Sequence, residues 1–233
     1  MAIFWNAKTW ICEDHSSALY RDLVQSSSAG SLETSKEHID NVAKEKGALV
    51  VALMRQRFSE SRIIIGNTHL YHHPAHADIK VSQALMYANH VYQFEMRCRH
   101  KDLPVVMCGD FNSQPQLNHN EIKYNPNGVS LTFHGGEQSG VYKLLDSGYI
   151  DSSHLHHPTA WNPTMNDGMH DIRIVGVTPD GSQRSYSSAY KAWMGTEPLF
   201  TTRTLKASTL NRYLPLPSPS PSRSSFTTVH RHD

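Results

Sequence analysis

The most informative stretch of the chain reads Met107-Cys108-Gly109-Asp110-Phe111-Asn112-Ser113, and it follows the apolar pair Val105-Val106. The apolar residues predict a buried strand, and the Gly-Asp-Phe-Asn sequence predicts a turn at its end. A carboxylate and an amide at a strand end are typical of hydrolytic sites. There the carboxylate accepts a proton or steadies a metal, and the amide orients an anionic oxygen.

A second strand end has the same character. The apolar residues 63–65 run into Gly66-Asn67-Thr68-His69-Leu70. Two apolar strands that each end in polar residues predict one site between them. Alternatives exist for each side chain: Asp110 and Asn112 also fit an Asp-x-Asn turn that satisfies its own backbone, and His69 alone also fits a hydrogen-bonded core histidine. We expect Asn67 to hold the strand end without a catalytic role.

The main apolar runs predict an α/β fold. Residues 48–54 and 62–70 are separated by a short polar segment, which predicts neighbouring antiparallel strands buried in a core. Residues 78–97 predict a helix whose start Asp78 caps. Residues 103–108 predict the next strand, and this strand–helix–strand order is typical of layered α/β proteins.

Shorter elements are predicted on either side of this unit. Residues 2–5 and 9–12 are typical of two short strands, residues 141–145 of a short helix, and residues 172–177 of a possible strand. In the long helix, Ile79, Ala84, Met86, Val91 and Phe94 form an irregular apolar face. The methionine and aromatic side chains of residues 84–94 are expected to pack in the core, and they do not suggest a base-stacking surface.

Loops and the domain boundary follow from composition. Residues 26–35 are rich in Gly and Ser and predict a flexible loop, and residues 114–138 predict a surface insertion. We expect one domain over residues 1–201. A Pro/Ser-rich tail over residues 202–233 is expected to be disordered, because proline removes ladder donors and serine buries little apolar area.

Bulk properties narrow the function classes. The chain has 233 residues, with 22 Lys+Arg against 21 Asp+Glu, so its global charge gives no evidence for nucleic-acid binding. No run approaches the roughly 18 apolar residues of a membrane span, and we predict no membrane association. The 3 cysteines lack a CxxC spacing and no secretory leader is evident, which indicates reduced thiols in an intracellular protein of unassigned compartment.

Histidine is abundant, with 16 in the chain. Two groups attract attention as zinc-site candidates: His72, His73 and His76, and His154, His156 and His157. Structural zinc sites usually combine four ligands at helical or knuckle spacing, often with cysteine, and neither group has a nearby cysteine. We therefore do not expect either group to bind zinc, and most of the 16 histidines are expected to be solvated surface residues.

Taken together, the two strand-end motifs resemble the exonuclease–endonuclease–phosphatase superfamily, in its deadenylase-type branch. That branch contains CCR4-like nucleases, nocturnin, angel proteins and the 2′,5′-phosphodiesterase 12 group. The resemblance extends over about residues 1–201. Besides the strand ends, it is carried by His69-Leu70-Tyr71-His72-His73-Pro74, Asp78-Ile79-Lys80, Ala2-Ile3-Phe4-Trp5, Val141-Tyr142-Lys143-Leu144-Leu145 and Glu197-Pro198-Leu199-Phe200-Thr201.

The resemblance implies a partial four-layer α/β sandwich, with two packed, mainly antiparallel sheets flanked by helices. It implies Mg²⁺-dependent hydrolysis of a phosphodiester in RNA or 2′,5′-linked oligoadenylate. In this scheme His69 contacts the phosphate or handles a proton, Asp110 prepares the attacking water, and Asn112 orients the scissile phosphate. A phosphatase acting on a small phosphorylated molecule would use the same site.

The chain also departs from the family pattern. In the family, a catalytic Asn and a magnesium-binding Glu precede the block that matches residues 2–5, and a Ser-Asp-His follows the block that matches residues 197–201. Neither feature occurs in residues 1–233, so we expect a truncation, frame change or retained intron. The alternative function is a catalytically inactive or interaction-only fragment that lacks the metal-binding Glu.

Overall fold

A mixed four-stranded sheet organises the part of the chain that the computed structural model describes, namely residues 1–26, 40, 42–43, 47–100, 102–117, 137–161, 171–178 and 181–197. Its strands lie side by side in chain order: β1 (Trp10–Leu19), β2 (Ala48–Gln56), β3 (Arg62–His69) and β4 (Val105–Asp110). The pairs β1–β2 and β2–β3 are antiparallel, whereas β3 and β4 are parallel.

Helices and a second, two-stranded sheet complete these ranges. The helices are α1 (Tyr20–Ser26), α2 (Ala77–Arg97), α3 (Gly140–Ser147), α4 (Pro158–Trp161) and α5 (Ala189–Met194). Strands β5 (Tyr149–Ile150) and β6 (Ile172–Arg173) pair antiparallel. This combination agrees with the α/β fold expected from the sequence. Within the described helices, none is both long and apolar enough to cross a membrane.

The predicted antiparallel strands are confirmed. In the ladder between β2 and β3, Leu53 lies opposite Ile64 and Leu49 lies opposite Thr68. All four side chains are buried. The face they share packs against α2, which connects β3 to β4. A parallel pair needs such a crossover, because its two strands enter the sheet from the same edge.

The prediction of helix α2 is also confirmed, except for the residue that caps its start. Its predicted apolar face is buried, and Met86, Tyr87 and Phe94 pack in the core as expected. Asp78 does not cap the helix: the N-cap position belongs to His76, and Asp78 lies inside the first turn. The helix thus begins one residue before Asp78.

The N-terminal strands differ from their prediction. Residues 2–5 form no strand, although the Asn67 side chain donates to the Ala2 carbonyl over 2.9 Å. The strand predicted at 9–12 extends to Leu19, because residues 14–19 pair with β2 although residues 14–17 are polar. At one end of this pair, the Glu13 carboxylate bonds Arg55 and Arg62, which explains how charged residues are tolerated in a strand.

The helix predicted at 141–145 is confirmed as α3, while the strand predicted at 172–177 is shorter than expected. It ends after two residues. Gly176 has φ +99, and a Cβ there would lie 2.5 Å from the Tyr92 ring, so the chain bends away from extended geometry. Most of the loop predicted at 26–35, most of the insertion predicted at 114–138, and the tail lie outside the described residues.

The 3 cysteines Cys12, Cys98 and Cys108 are free thiols, as predicted. Burial raises the thiol pKa of each. They are therefore weakly reactive, since the thiolate is the reactive species.

Gly66→Ala is expected to lower the free energy of unfolding by about 1–3 kcal/mol, the usual cost of overpacking. The reason is that a Cβ at Gly66 would lie 2.4 Å from the Tyr87 hydroxyl oxygen. Adding Tyr87→Phe removes that oxygen and should recover part of the loss. Urea denaturation of the four proteins in this cycle measures the coupling. Strictly additive effects would show that the close approach does not require glycine.

Candidate active site

The parallel register of β3 and β4 places His69 directly opposite Asp110 at the end of the ladder. The two side chains face the same space: His69 Nε2 lies 3.9 Å from Asp110 Oδ2. Both are about half exposed, at 57% and 50%. Beyond them, the Leu70 N–H donates to the Asp110 carbonyl over 2.9 Å and extends the pairing by one step. The strands thus bring together two of the three predicted site residues at an accessible edge.

Asn112 joins this pair through a tight turn. Its backbone N–H donates to Asp110 Oδ1 over 2.9 Å, which is the Asp-x-Asn turn considered from the sequence. The turn occupies one carboxylate oxygen and leaves Oδ2 on the side of His69. The turn and the site are therefore compatible. The catalytic roles of His69, Asp110 and Asn112 stay a prediction.

The backbone around Asp110 is constrained on both sides. Gly109 has φ +149, and a Cβ there would lie 2.3 Å from the Thr68 carbonyl oxygen, which no side chain tolerates. Asn112 has φ +44, a left-handed conformation in which asparagine is several-fold enriched. The residue types of the Gly-Asp-Phe-Asn motif thus match the backbone that the turn requires.

The Asn112 side chain is fixed as well. Its Nδ2 donates to the Leu70 carbonyl over 2.8 Å, so the amide is anchored to the end of β3. Its own backbone carbonyl accepts a hydrogen bond from Lys80 Nζ at 2.9 Å. An amide held in this way presents a defined geometry to a ligand before the ligand arrives.

A second layer supports the end of β3, and sequence reasoning missed it. The Thr68 hydroxyl donates to the Ala48 carbonyl over 3.0 Å, so the Tyr20 hydroxyl is the donor in the 2.5 Å contact between Tyr20 and Thr68. Burial raises the pKa of Tyr20, which keeps the phenol protonated for this task. The available signal was a threonine on the buried side of an alternating strand. Asn67, by contrast, has the supporting contact to Ala2 described above.

The site residues match one position of a magnesium centre. Magnesium prefers oxygen ligands and is often held by one or two carboxylates, with water and substrate phosphate completing the shell. Asp110 offers one such carboxylate, through Oδ2. Among the described residues, no group of three or more His, Cys, Asp and Glu side chains lies close enough to hold a metal ion. A complete metal site is therefore not assembled by these residues.

Comparison with known proteins identifies relatives for part of the chain. No protein-family model matches it. Carbon catabolite repressor protein 4 homolog 3 from Arabidopsis thaliana is 30% identical over 115 residues, covering 49% of this chain and 21% of the relative. The mouse 2′,5′-phosphodiesterase 12 is 34% identical over 80 residues, covering 33% of this chain and 12% of the relative. The matched part of the chain thus spans only 21% and 12% of the lengths of these two relatives.

A solved structure also aligns with this one. The crystal structure of ANGEL2, a 2′,3′-cyclic phosphatase, in complex with adenosine-2′,3′-vanadate superimposes with a TM-score of 0.41 and 15% sequence identity. The alignment covers 79% of this chain and 44% of that chain.

The first histidine group lies in the loop between β3 and α2. His72 and His73 are exposed, as expected. The rings of His73 and His76 lie against Tyr71, with centroids 6.3 and 5.5 Å from its ring, respectively. The loop is thus held by ring contacts next to the candidate site.

The second histidine group departs from the surface location expected of most histidines: His154, His156 and His157 are all buried. Each imidazole takes a backbone partner. His156 Nδ1 accepts from the Gly140 N–H at 3.1 Å, at the start of α3. His154 Nε2 donates to the Gln138 carbonyl over 3.0 Å. Sequence pattern does not reveal this use of a histidine ring in place of a peptide group.

Burial lowers the pKa of all three histidines, with His156 reaching about 3 and His157 about 4. They are neutral in the folded protein at neutral pH. Their contribution to stability is complete above the ordinary histidine pKa of about 6.5. It is lost as the pH falls towards the folded pKa values, because the unfolded chain then binds protons that the folded chain does not.

The free energy of unfolding is therefore expected to fall between pH 6.5 and pH 4, by up to roughly 1.4 kcal/mol per pH unit for each histidine. His156→Gln should reduce the slope of the free energy of unfolding against pH, because about one proton fewer is taken up on unfolding. Urea denaturation across the range measures the slope, with His72→Gln as the exposed control. An equal slope in wild type and His156→Gln would contradict the assignment.

Proposed function

We propose that this chain, a homologue of the CCR4, angel and 2′,5′-phosphodiesterase 12 proteins, carries the phosphate-binding part of a phosphodiesterase site of the deadenylase or 2′,5′-phosphodiesterase type. The observation that carries the proposal is the constellation at the end of β3 and β4. There His69 Nε2 lies 3.9 Å from Asp110 Oδ2, and the same carboxylate holds Asn112 through its other oxygen.

The chemistry requires a proton acceptor, an orienting group and charge stabilisation. Asp110 Oδ2 accepts the proton of a water molecule as its oxygen attacks phosphorus. Negative charge grows on the equatorial oxygens, and donors fixed beforehand stabilise it without reorganising. In this scheme the Asn112 amide orients the phosphate and His69 contacts an oxygen of the same group. The P–O ester bond then breaks, and the leaving oxygen takes up a proton.

The substrate class follows from the relatives. A fungal relative from Phaeosphaeria nodorum is named as a 3′-5′-exoribonuclease subunit of the CCR4-Not complex, and others are 2′,5′-phosphodiesterases. We therefore propose RNA or 2′,5′-linked oligoadenylate as substrate. By resemblance the reaction uses Mg²⁺, which supplies Lewis-acid stabilisation when bound.

One observation favours a second candidate function for residues 1–233, namely phosphodiester binding without turnover. The described site offers the single carboxylate of Asp110, and these residues assemble no complete metal centre. A second carboxylate would be needed to reproduce the family's magnesium site. Binding and turnover are separable by experiment.

Binding at the proposed site is expected to involve Asn112. In an NMR titration of residues 1–233 with adenylyl-(2′,5′)-adenosine, the His69 and Asn112 signals should shift. Asn112→Asp should weaken binding about tenfold or more, because it places a like charge beside the phosphate. Asn6→Asp adds the same charge to an exposed turn and should have no effect. Unperturbed His69 and Asn112 signals would remove the support for this site.

Turnover by residues 1–233 is expected to be negligible even with Mg²⁺, because the Lewis acid contributes several kcal/mol and these residues supply only part of its shell. Release of AMP from labelled oligoadenylate is the measurement. If robust cleavage is found, Asp110→Asn should reduce it at least about 100-fold. Asp22→Asn, an exposed acidic residue on α1, is the matched control. Cleavage that survives Asp110→Asn would place the chemistry elsewhere.

A further inference from the structure

We infer that Lys80 is a positioning residue of this site, whose buried ammonium holds the Asn112 turn in the geometry that a phosphate needs. The inference rests on the proposed function. Lys80 lies in the first turn of α2 and is only 3% exposed. Its Nζ reaches across to the turn after β4 and donates to the Asn112 carbonyl over 2.9 Å.

The contact restrains a motion that the other hydrogen bonds of Asn112 leave open. Asp110 Oδ1 holds the Asn112 N–H, and the Leu70 carbonyl holds its side-chain amide. Neither bond restrains the direction of the Asn112 carbonyl, which is set by the ψ angle of Asn112. The ammonium fixes that carbonyl and therefore keeps the residue in its left-handed conformation at φ +44. With all three bonds in place, the amide has a single orientation.

Burying the Lys80 ammonium costs free energy, and a contact that only stabilised the fold would not need a charged group. A buried ammonium is unfavourable unless it is well hydrogen-bonded, and the apolar stem alone would pack as well in methionine. A positive charge behind the turn also favours an anion in front of it, because opposite charges attract. Both effects favour the binding and orientation of phosphate.

The surroundings of Lys80 agree with this role. Burial lowers the pKa of His156 to about 3, and the charges of His154 and then of Lys80 contribute in the same direction. The imidazole is thus neutral and does not share the positive charge. Hydrogen bonds to a charged donor are roughly twice as strong as neutral ones, so the contact with the carbonyl is suited to fixing a turn.

The test uses the full 233-residue chain, labelled with ¹⁵N, and the variant Lys80→Met, which keeps the stem and removes the ammonium. Two quantities are measured: the hydrogen-exchange rate of the Asn112 backbone N–H, and the dissociation constant for inorganic phosphate from the His69 signals. We expect the exchange to be about tenfold faster and the phosphate binding about tenfold weaker, the size of one charge-assisted hydrogen bond. If Lys80→Met does not fold, Lys80→Gln provides the same comparison.

A destabilised control separates positioning from general loss of stability. Leu144→Ala removes core contacts in α3 without touching the turn, and it should leave both quantities unchanged. Unchanged Asn112 exchange in a folded Lys80 variant would overturn the inference, whatever happens to phosphate. Equal effects in Leu144→Ala would overturn it too. If the wild type shows no phosphate effect at His69 while Lys80→Met still accelerates exchange, the positioning role stands and the proposed function fails.

Discussion

The parallel pairing of β3 and β4 is the constraint on which the site depends. Parallel strands end at the same edge of a sheet, so polar residues that follow two such strands meet there. The register pairs His69 with Asp110. A slip of one residue would turn the facing side chains to the opposite surface, where α2 packs. An antiparallel β4 would place Asp110 at the far edge. The topology therefore creates the juxtaposition before any side-chain chemistry is considered.

Helix α2 enforces this pairing in more than one way. As the crossover, it covers one face of the sheet with a continuous apolar surface. Tyr87 passes through the space that Gly66 leaves and donates to the Cys108 carbonyl over 3.2 Å, which ties the helix to β4. Lys80 ties its first turn to the loop after β4. The length of the helix thus contacts both the middle of the strand and the turn that carries Asn112.

The parts of the fold that sequence predicted are those with an apolar run in the sequence. Strand β4 was found in this way although, against the expectation of a buried strand, none of its residues is fully buried. An apolar run is plain in the sequence of strands β2, β3 and β4 and of helix α2. Strand β1 has no such run: residues 14–17 are polar or charged and still pair with β2. Glu13 lies at the irregularity between Cys12 and Asp14, and its ion pair with Arg62 links β1 to β3. Its continuation beyond residue 12 is fixed by its neighbour, and local sequence alone does not carry that information.

The same distinction applies to the site. The sequence predicted His69, Asp110 and Asn112 as candidate site residues because their chemistry and spacing are unusual, and in the structure the three lie next to one another. It did not single out Tyr20 or Lys80 for the site, since their contacts with Thr68 and Asn112 join segments far apart in the chain. The burial of His154, His156 and His157 was missed for a related reason. A histidine in a loop is expected to be solvated unless its backbone hydrogen-bond partners are known. Asp110 shows why a structural and a functional interpretation of one residue need not compete. One carboxylate oxygen closes the turn, and this bond fixes the position of the other, which lies 3.9 Å from His69.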